Sequence, residues 1–350
     1  MKKNKDFSPD IYLEKLYQKK ERQFIFKAAN LIEWKLWREN LKAKLAEVIG
    51  GLPDQVEVDQ AVTLLNREVL TDYIRLRISY KVKDYLELPA YLLLPKIKNF
   101  NQKAVVIAHG HGNGVREAVG LNARGEKLDQ STCHNDLAVE FAKAGYIVIL
   151  PELIGFGDRR LRDDYLADPE LKKDRTANSC YRISSQLLLL GQTTAKLRLL
   201  DLMSAVKYLT ENDEFELTEI NCVGFSGGAP IAILAALFLP EINAVMVSGY
   251  PSFYKDSIMA RRHCLDNYLP GILNYAELPD ILAAIAPKPL LLQAAVHDQL
   301  FPIESAKKAE QIAAKAYKLL HSSNKLDFSL IEGSHAVQAG PAIEFFNKFN

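Results

Sequence analysis

Cysteine is scarce in this sequence, and its four cysteines are not spaced for a zinc site or a redox motif. No CxxC pair is formed by Cys133, Cys180, Cys222 and Cys264, which lie far apart. The N-terminal stretch also lacks the apolar core of a secretory signal. These features predict a reducing, cytoplasmic setting.

Neither a strong net charge nor a long apolar run is present. The 44 Lys and Arg residues nearly cancel the 43 Asp and Glu residues, so no net field attracts nucleic acid or an anionic membrane. No apolar run reaches the roughly 18 residues that span a bilayer. Hydrophobic residues nevertheless make up 48% of the 350 positions, enough for a large buried core. We therefore expect a globular chain with neither a nucleic-acid nor a membrane partner.

The N-terminal region carries a helical pattern over residues 10–49. Spacings of three and four place on one face Leu31, Trp34, Trp37, Leu41, Leu45 and Val48. Gly50 and Gly51, followed by Pro53, end the pattern. We predict a helical extension over residues 1–53 that packs on the main body. The alternative is a contact between copies of the chain, which would make a homo-oligomer through these helices.

The remainder, residues 54–350, is predicted to be one α/β domain. Residues 73–80 and 86–94 alternate with period two and suggest an antiparallel pair. After them, short apolar strands alternate with helices, which is typical of a mostly parallel, doubly wound sheet. Residues 158–192 are polar as far as Leu187 and long for a connection, so we predict a lid-like insertion there.

The pattern GxSxG occurs at Gly224–Gly228 and places a serine, Ser226, between a buried strand and an apolar helix. The pattern alone is a weak signal. Its context is that of a nucleophile elbow, in which small neighbours allow a sharp turn that exposes the serine hydroxyl. Ser226 is therefore the predicted nucleophile.

A serine hydroxyl needs a base within hydrogen-bond reach and an acid that orients the base. In strand–serine–helix enzymes the acid and then the histidine follow the serine along the chain. Asp298 follows the strand at Leu290–Leu292, and His335 follows the last predicted strand. We predict Asp298 as the acid and His335 as the base.

Other candidates for these two roles fit less well. His297 adjoins the proposed acid, so the two side chains diverge, and His321 ends a helix, where positive charge is common. The rival acids are Asp256 and Glu332. A capping role in its loop is the alternative for Asp298.

The negative charge that develops on the substrate oxygen requires two backbone N–H donors. The predicted donors are the amides of Gly227, directly after the nucleophile, and of His111, in the glycine-containing loop after an earlier strand. His109 and His111 at i and i+2 hint at a metal, but no carboxylate or third histidine lies nearby in sequence. We therefore predict no metal and no cofactor.

Candidate substrate contacts come from two segments. Arg159 and Arg160, with Arg162, can meet a carboxylate or a polar sugar, although a solvated charged face is the favoured interpretation. Aromatic residues after the strand that follows the nucleophile helix can line an acyl or alcohol pocket or belong to the core: Tyr250, Phe253 and Tyr254.

From about residue 56 onward the sequence resembles the α/β-hydrolase superfamily, in the branch of dienelactone-hydrolase-like proteins and acetyl-xylan-esterase-like carboxylesterases. The resemblance is carried by Leu88–Pro95, Pro151–Gly157 and Ala286–Leu292, besides the GxSxG pattern. It implies a carboxylesterase that acts on a small-molecule ester, with short acyl groups on a sugar or another small polar alcohol, by two-step acyl transfer.

Two positions depart from this branch. True dienelactone hydrolases have a cysteine nucleophile where this chain has Ser226, and acetyl-xylan-type enzymes usually have an aromatic residue where it has His111. A peptidase or amidase of the prolyl-oligopeptidase type is an alternative, although such chains generally carry a large extra domain. A non-catalytic binding module on the same fold is another, although such proteins normally lose a member of the triad.

Overall fold

The computed structural model describes residues 7–54, 62–97, 102–162 and 178–349. They form a nine-stranded sheet with helices on both faces, which confirms the predicted α/β class. The strands are β1 (Thr63–Val69), β2 (Tyr73–Lys83), β3 (Leu86–Pro95), β4 (Lys103–Ala108), β5 (Ile147–Pro151), β6 (Glu219–Phe225), β7 (Ile242–Ser248), β8 (Leu290–Ala295) and β9 (Leu326–Ile331).

The helices of the described residues include short and long segments. They are α1 (Asp10–Gln18), α2 (Leu31–Val48), α3 (Val115–Ala118), α4 (Leu137–Lys143), α5 (Cys180–Leu189), α6 (Thr194–Thr210), α7 (Ala229–Phe238), α8 (Leu278–Ala283), α9 (Ile303–Leu319) and α10 (Gly340–Phe346). Among the described ranges, no helix combines the length and apolar character needed to cross a bilayer.

The strand order is β1-β2-β3-β5-β4-β6-β7-β8-β9. β1, β2, β3 and β5 pair antiparallel, and the pairs from β5 through β4 to β9 are parallel. The chain runs from β4 outward to β5 and then returns to β6 on the other side of β4. The carboxyl ends of β4 and β6 therefore flank a topological switch point, where open α/β sheets bind their ligands.

Strand β4 shows how the sequence builds two core layers. Every residue of it is buried, and successive side chains of a strand point to opposite faces. Ala104, Val106 and Ala108 belong to one hydrophobic cluster, and Val105 and Ile107 belong to the other. A strand that is apolar on both faces must be covered by helices on both sides.

The predicted helix over residues 10–49 is divided into α1 and α2. The residues between them are not helical, and α2 begins at an N-cap: Asn30 accepts from the amide of Glu33 at 3.0 Å, and Glu33 accepts from that of Ala29, the residue before the cap, at 2.8 Å. Leu41 and Leu45 of α2 are fully buried in the cluster that contains Val106. This segment thus shares its core with the sheet.

Other predictions for this region and for the insertion remain open. Ile32 and Leu36 of α2 are exposed apolar side chains, and the contact between copies of the chain stays a prediction. Of the predicted insertion at 158–192, residues 163–177 lie outside the described residues. The rest includes α5, which contacts α6.

Candidate active site

Ser226 occupies a strained turn between β6 and α7. Its φ of +51° lies in the left-handed region, which non-glycine residues rarely adopt. The glycines on either side are required by close packing. A Cβ on Gly224 would lie 2.5 Å from the Cβ of Ala232, and one on Gly228 would lie 2.1 Å from the carbonyl oxygen of Ala108. The turn thus holds the serine at the carboxyl edge of the sheet.

Ser226, His335 and Asp298 form one hydrogen-bonded chain. Ser226 Oγ lies 2.8 Å from His335 Nε2, and His335 Nδ1 lies 2.7 Å from Asp298 Oδ2. An ionised carboxylate only accepts hydrogen bonds, so Nδ1 carries the ring proton and Nε2 is left to accept from the serine hydroxyl. The rings of Phe225 and Phe301 both stack on the imidazole, with centroid distances of 5.0 and 5.7 Å. The ring is therefore fixed in the orientation that a general base needs.

The buried carboxylate of Asp298 is itself held in place. Its Oδ1 accepts from the backbone amides of Leu300 and Phe301 at 2.8 and 3.1 Å. The rival acids lie elsewhere: Asp256 accepts from Ser305 Oγ at 2.8 Å, and Glu332 is exposed. Among the carboxylates weighed from the sequence, Asp298 is the one bonded to His335.

The loop after β4 lies against the nucleophile turn. Ala108 at the end of β4 is paired with Gly224 in β6, so the two loops leave the sheet side by side. A Cβ on Gly227 would lie 2.6 Å from the Nδ1 and Cε1 atoms of the His111 ring. The structure therefore brings together the two residues whose amides were predicted to bind the oxyanion.

A buried carboxylate, Glu117, supports this loop and was missed in the sequence. Its Oε1 accepts from the backbone and side-chain nitrogens of Asn113 at 2.9 and 2.8 Å, and its Oε2 lies 3.1 Å from His134 Nδ1. Burial disfavours the protonated imidazole, but contacts with Cys133 and Glu117 outweigh it and raise the pKa of His134 to about 9. Burial likewise opposes ionisation of Glu117, but its hydrogen bonds lower its pKa to about 2.

The His111 ring enters a second charged cluster that the sequence did not reveal. Its Nε2 lies 3.3 Å from Asp266 Oδ2, which also binds Arg198 Nη1 at 2.5 Å. Burial alone would lower the pKa of His111, but the Asp266 carboxylate outweighs it and raises the pKa to about 9. His111, Arg198 and Asp266 are far apart in the chain, so no local sequence pattern could have predicted this cluster.

Possible metal ligands also gather at this cluster. Atoms of His111, Cys180, Cys264 and Asp266 lie within 4.8 Å of one another. The guanidinium of Arg198 already binds two of the four, at Cys180 Sγ (3.0 Å) and Asp266 Oδ2. A cation placed among these atoms would be repelled by that charge, so we do not assign a metal here.

A cavity of about 210 Å³ opens over the serine. Besides Ser226 and His335, its walls include His111, Arg262, Cys264 and Phe301. The cavity lies at the carboxyl ends of β6, β8 and β9, where the three loops carrying Ser226, Asp298 and His335 converge. It is the space in which a bound substrate would meet the serine hydroxyl.

The residues predicted to contact substrate do not line this cavity. Arg159 is a buried partner of Asp201 at 2.7 Å, and Arg160 Nε donates to the carbonyl oxygen of Gly157 at 2.9 Å. Both side chains hold the loop after β5, and a substrate role for them stays a prediction.

The three aromatic residues after β7 also lie outside the cavity wall. Tyr250 is buried against Phe301, with ring centroids 5.0 Å apart, and the amide of Tyr254 donates to Glu277 at 2.9 Å. The amide of Phe253 donates to Ser305 Oγ at 2.9 Å. Tyr250 and Tyr254 are both buried, which agrees with the alternative that they belong to the hydrophobic core.

A model of the dienelactone hydrolase family matches residues 88–322. A Bacillus subtilis (strain 168) protein named "Putative hydrolase YtaP" is 24% identical over 301 residues, which cover 82% of this chain and 93% of that protein. A solved structure described as a putative acetyl xylan esterase from Bacteroides fragilis NCTC 9343 covers 94% of this chain and 84% of its own, with a TM-score of 0.73 and 16% identity. The glucuronoyl esterase from Solibacter usitatus covers 91% and 93%, with a TM-score of 0.63 and 13% identity. At these identities the likeness to solved structures establishes the fold.

Proposed function

This chain belongs to the dienelactone hydrolase family and is a hydrolase acting on ester bonds, and from that premise we propose that it cleaves small carboxylic esters with Ser226 as nucleophile, His335 as base and Asp298 as the orienting acid. The observation that carries the proposal is the unbroken hydrogen-bonded chain from Ser226 Oγ through His335 to Asp298. The strained backbone at Ser226 supports it, because such strain is typical of nucleophile elbows.

In the first step Ser226 Oγ attacks the ester carbonyl while His335 Nε2 takes the hydroxyl proton. Asp298 stabilises the imidazolium that forms. The amides of Gly227 and His111 donate to the oxyanion, and His335 then returns the proton to the leaving alcohol. Water repeats the sequence on the acyl-enzyme and releases the acid. The proton transfer from Ser226 to His335 is short because Nε2 and Oγ are already within hydrogen-bond distance.

The substrate is a short acyl ester of a sugar or another small polar alcohol. A cavity of about 210 Å³ is small, which favours a few acyl carbons over a long chain. The polar residues Arg262 and His263 on the wall suit a hydroxylated alcohol.

Hydrolysis of p-nitrophenyl esters from acetate to octanoate tests this proposal. We expect the wild-type protein to prefer acetate or butyrate, and Ser226→Ala to abolish hydrolysis. Ser323→Ala, which changes an exposed serine outside the cavity wall, is the matched control and should keep full activity. A fluorophosphonate should phosphonylate the peptide that contains Ser226, with loss of hydrogen fluoride.

The opposite outcomes distinguish the alternatives. Equal activity in wild type and Ser226→Ala would overturn the assignment of the nucleophile. Cleavage of peptide amides without ester cleavage would favour the prolyl-oligopeptidase-type alternative. A folded wild-type protein that neither hydrolyses nor reacts with fluorophosphonate would favour a binding module.

A further inference from the structure

Two cysteines meet at the wall of the active-site cavity. Cys264 lines the same cavity as Ser226 and His335, and Cys180, the first residue of α5, is buried behind it. Their sulfur atoms belong to the group of side-chain atoms that lie within 4.8 Å of one another. Both are free thiols. One sulfur thus faces the cavity while its neighbour is shielded from solvent.

The charges around the pair favour a thiolate. Arg198 Nη2 donates to Cys180 Sγ at 3.0 Å, and the His111 ring belongs to the same group. These two cationic groups face one carboxylate, Asp266, so an excess of positive charge remains.

The pKa values of the two thiols are shifted in opposite directions. Contact with Cys180, aided by His111 and opposed by burial, lowers the pKa of Cys264 to about 6. Cys264 is therefore mainly a thiolate at pH 7, whereas an ordinary cysteine is mainly a thiol. Burial raises the pKa of Cys180, which stays a thiol.

We propose that Cys264 is a site of oxidation by hydrogen peroxide, and that Cys180 resolves the oxidised sulfur as a disulfide. The Cys264 thiolate attacks one peroxide oxygen, a sulfur–oxygen bond forms, the oxygen–oxygen bond breaks, and hydroxide leaves. The sulfur is oxidised to a sulfenic acid and the peroxide is reduced. The Cys180 sulfur then attacks the Cys264 sulfur, and the displaced hydroxide leaves as water with the Cys180 proton. Two thiols and one peroxide give one disulfide and two waters.

The disulfide also alters the cavity, and this consequence rests on the proposed function. A sulfur–sulfur bond of about 2.05 Å requires the two sulfurs to approach, and Cys180 is the more buried partner, so the Cys264 side of the pair should move. Arg262 and His263 precede Cys264 on the cavity wall, and Asp266, which holds His111, follows it. Closing the bond therefore moves one wall of the cavity and disturbs the loop that faces the oxyanion, so ester hydrolysis should slow.

Peptide mass mapping without reductant tests the thiol pair directly. After treatment with hydrogen peroxide we expect a linked peptide containing Cys180 and Cys264, two hydrogens lighter than the free peptides, that dithiothreitol separates. Cys264→Ser and Cys180→Ser should each abolish it. Cys133→Ser is the matched control, because Cys133 lines the same cavity but is not in the group that contains the two sulfurs; the linked peptide should persist in it.

Further measurements distinguish a failure of this proposal from misfolding of a variant and from a failure of the proposed function. Thermal unfolding shows whether each variant is folded, and iodoacetamide at pH 7 should label Cys264 of the wild type before Cys133. Peroxide should slow wild-type ester hydrolysis at least fivefold, reversibly with dithiothreitol, whereas Cys180→Ser, which cannot form the disulfide, should not show this reversible slowing. No linked peptide, linkage of Cys264 to Cys133, or failure of Cys264 to be labelled would overturn the proposal. A linked peptide with unchanged hydrolysis would overturn the effect on the cavity, and an absence of hydrolysis before oxidation would count against the proposed function alone.

Discussion

Replacing Asp298 by asparagine tests the catalytic chain most sharply, because the structure dictates how the new amide must sit. Oδ1 accepts from two backbone amides, those of Leu300 and Phe301. An NH₂ group in the place of Oδ1 would face two N–H donors. The asparagine oxygen therefore occupies the Oδ1 position, and its NH₂ group faces His335. Nδ1 must then accept, and the ring proton moves to Nε2, where it points at the Ser226 hydroxyl.

A histidine in that tautomer cannot remove the serine proton. The same change in a serine-protease triad lowers kcat about 10⁴-fold, which is about 5 kcal/mol of transition-state stabilisation. The two hydrogen bonds from backbone amides to Oδ1 remain, but their acceptor is no longer charged. The free energy of unfolding should therefore fall by only about 1–2 kcal/mol. The assay is p-nitrophenyl acetate hydrolysis beside urea denaturation of the same preparation.

The rival acids supply the controls. Asp256→Asn and Glu332→Gln change carboxylates that do not contact His335, so both variants should keep kcat within threefold of wild type. The reasoning fails if Asp298→Asn retains more than a tenth of the wild-type kcat while it is folded, or if either control loses activity in its place.

Three further outcomes follow from the neighbouring contacts. Gly227→Ala puts a Cβ 2.6 Å from the His111 ring and should lower kcat about 100-fold by moving one oxyanion donor; unchanged hydrolysis would show that the loop adapts. Asp266→Asn leaves Arg198 buried without its carboxylate and should cost about 3 kcal/mol in urea denaturation, with less than 1 kcal/mol as the contrary result. The pKa of His134 is raised from 6.5 to about 9, so its protonated ring stabilises the fold fully below pH 6.5, and that contribution is lost as the pH rises through 9. The urea midpoint should therefore fall between pH 6 and pH 9.5, and less steeply in His134→Gln.

The features that were predictable from the sequence are those that local pattern determines. The parallel strands are short apolar runs between helices, and the expected antiparallel pair at residues 73–80 and 86–94 is β2 with β3. Ser226, Asp298 and His335 could be nominated because each follows a strand, and a parallel sheet collects such loops at one edge. The structure brings the three side chains together, and their catalytic roles remain the proposal above.

The features that were missed depend on contacts between distant residues. Nothing near His111 in the chain indicates Asp266 or Arg198, and nothing near Glu117 indicates that it meets His134 (a pair set by the packing of two loops). Arg159 looked available for substrate because its local sequence is polar, yet its partner Asp201 comes from α6. The interruption of the helix before α2 could have been predicted from the sequence, because Asn30 followed by Glu33 is a recognisable helix N-cap pattern.

The distance along the chain between Ser226 and His335 has a consequence for biosynthesis. Their side chains are 109 residues apart in sequence, and the loop that carries His335 leaves β9, which occupies one edge of the sheet. A growing polypeptide therefore exposes its nucleophile turn well before the base can reach it. Ester cleavage becomes a reporter of complete folding, and nascent chains halted on the ribosome before β9 has emerged should be inert even where β4 to β8 have already paired.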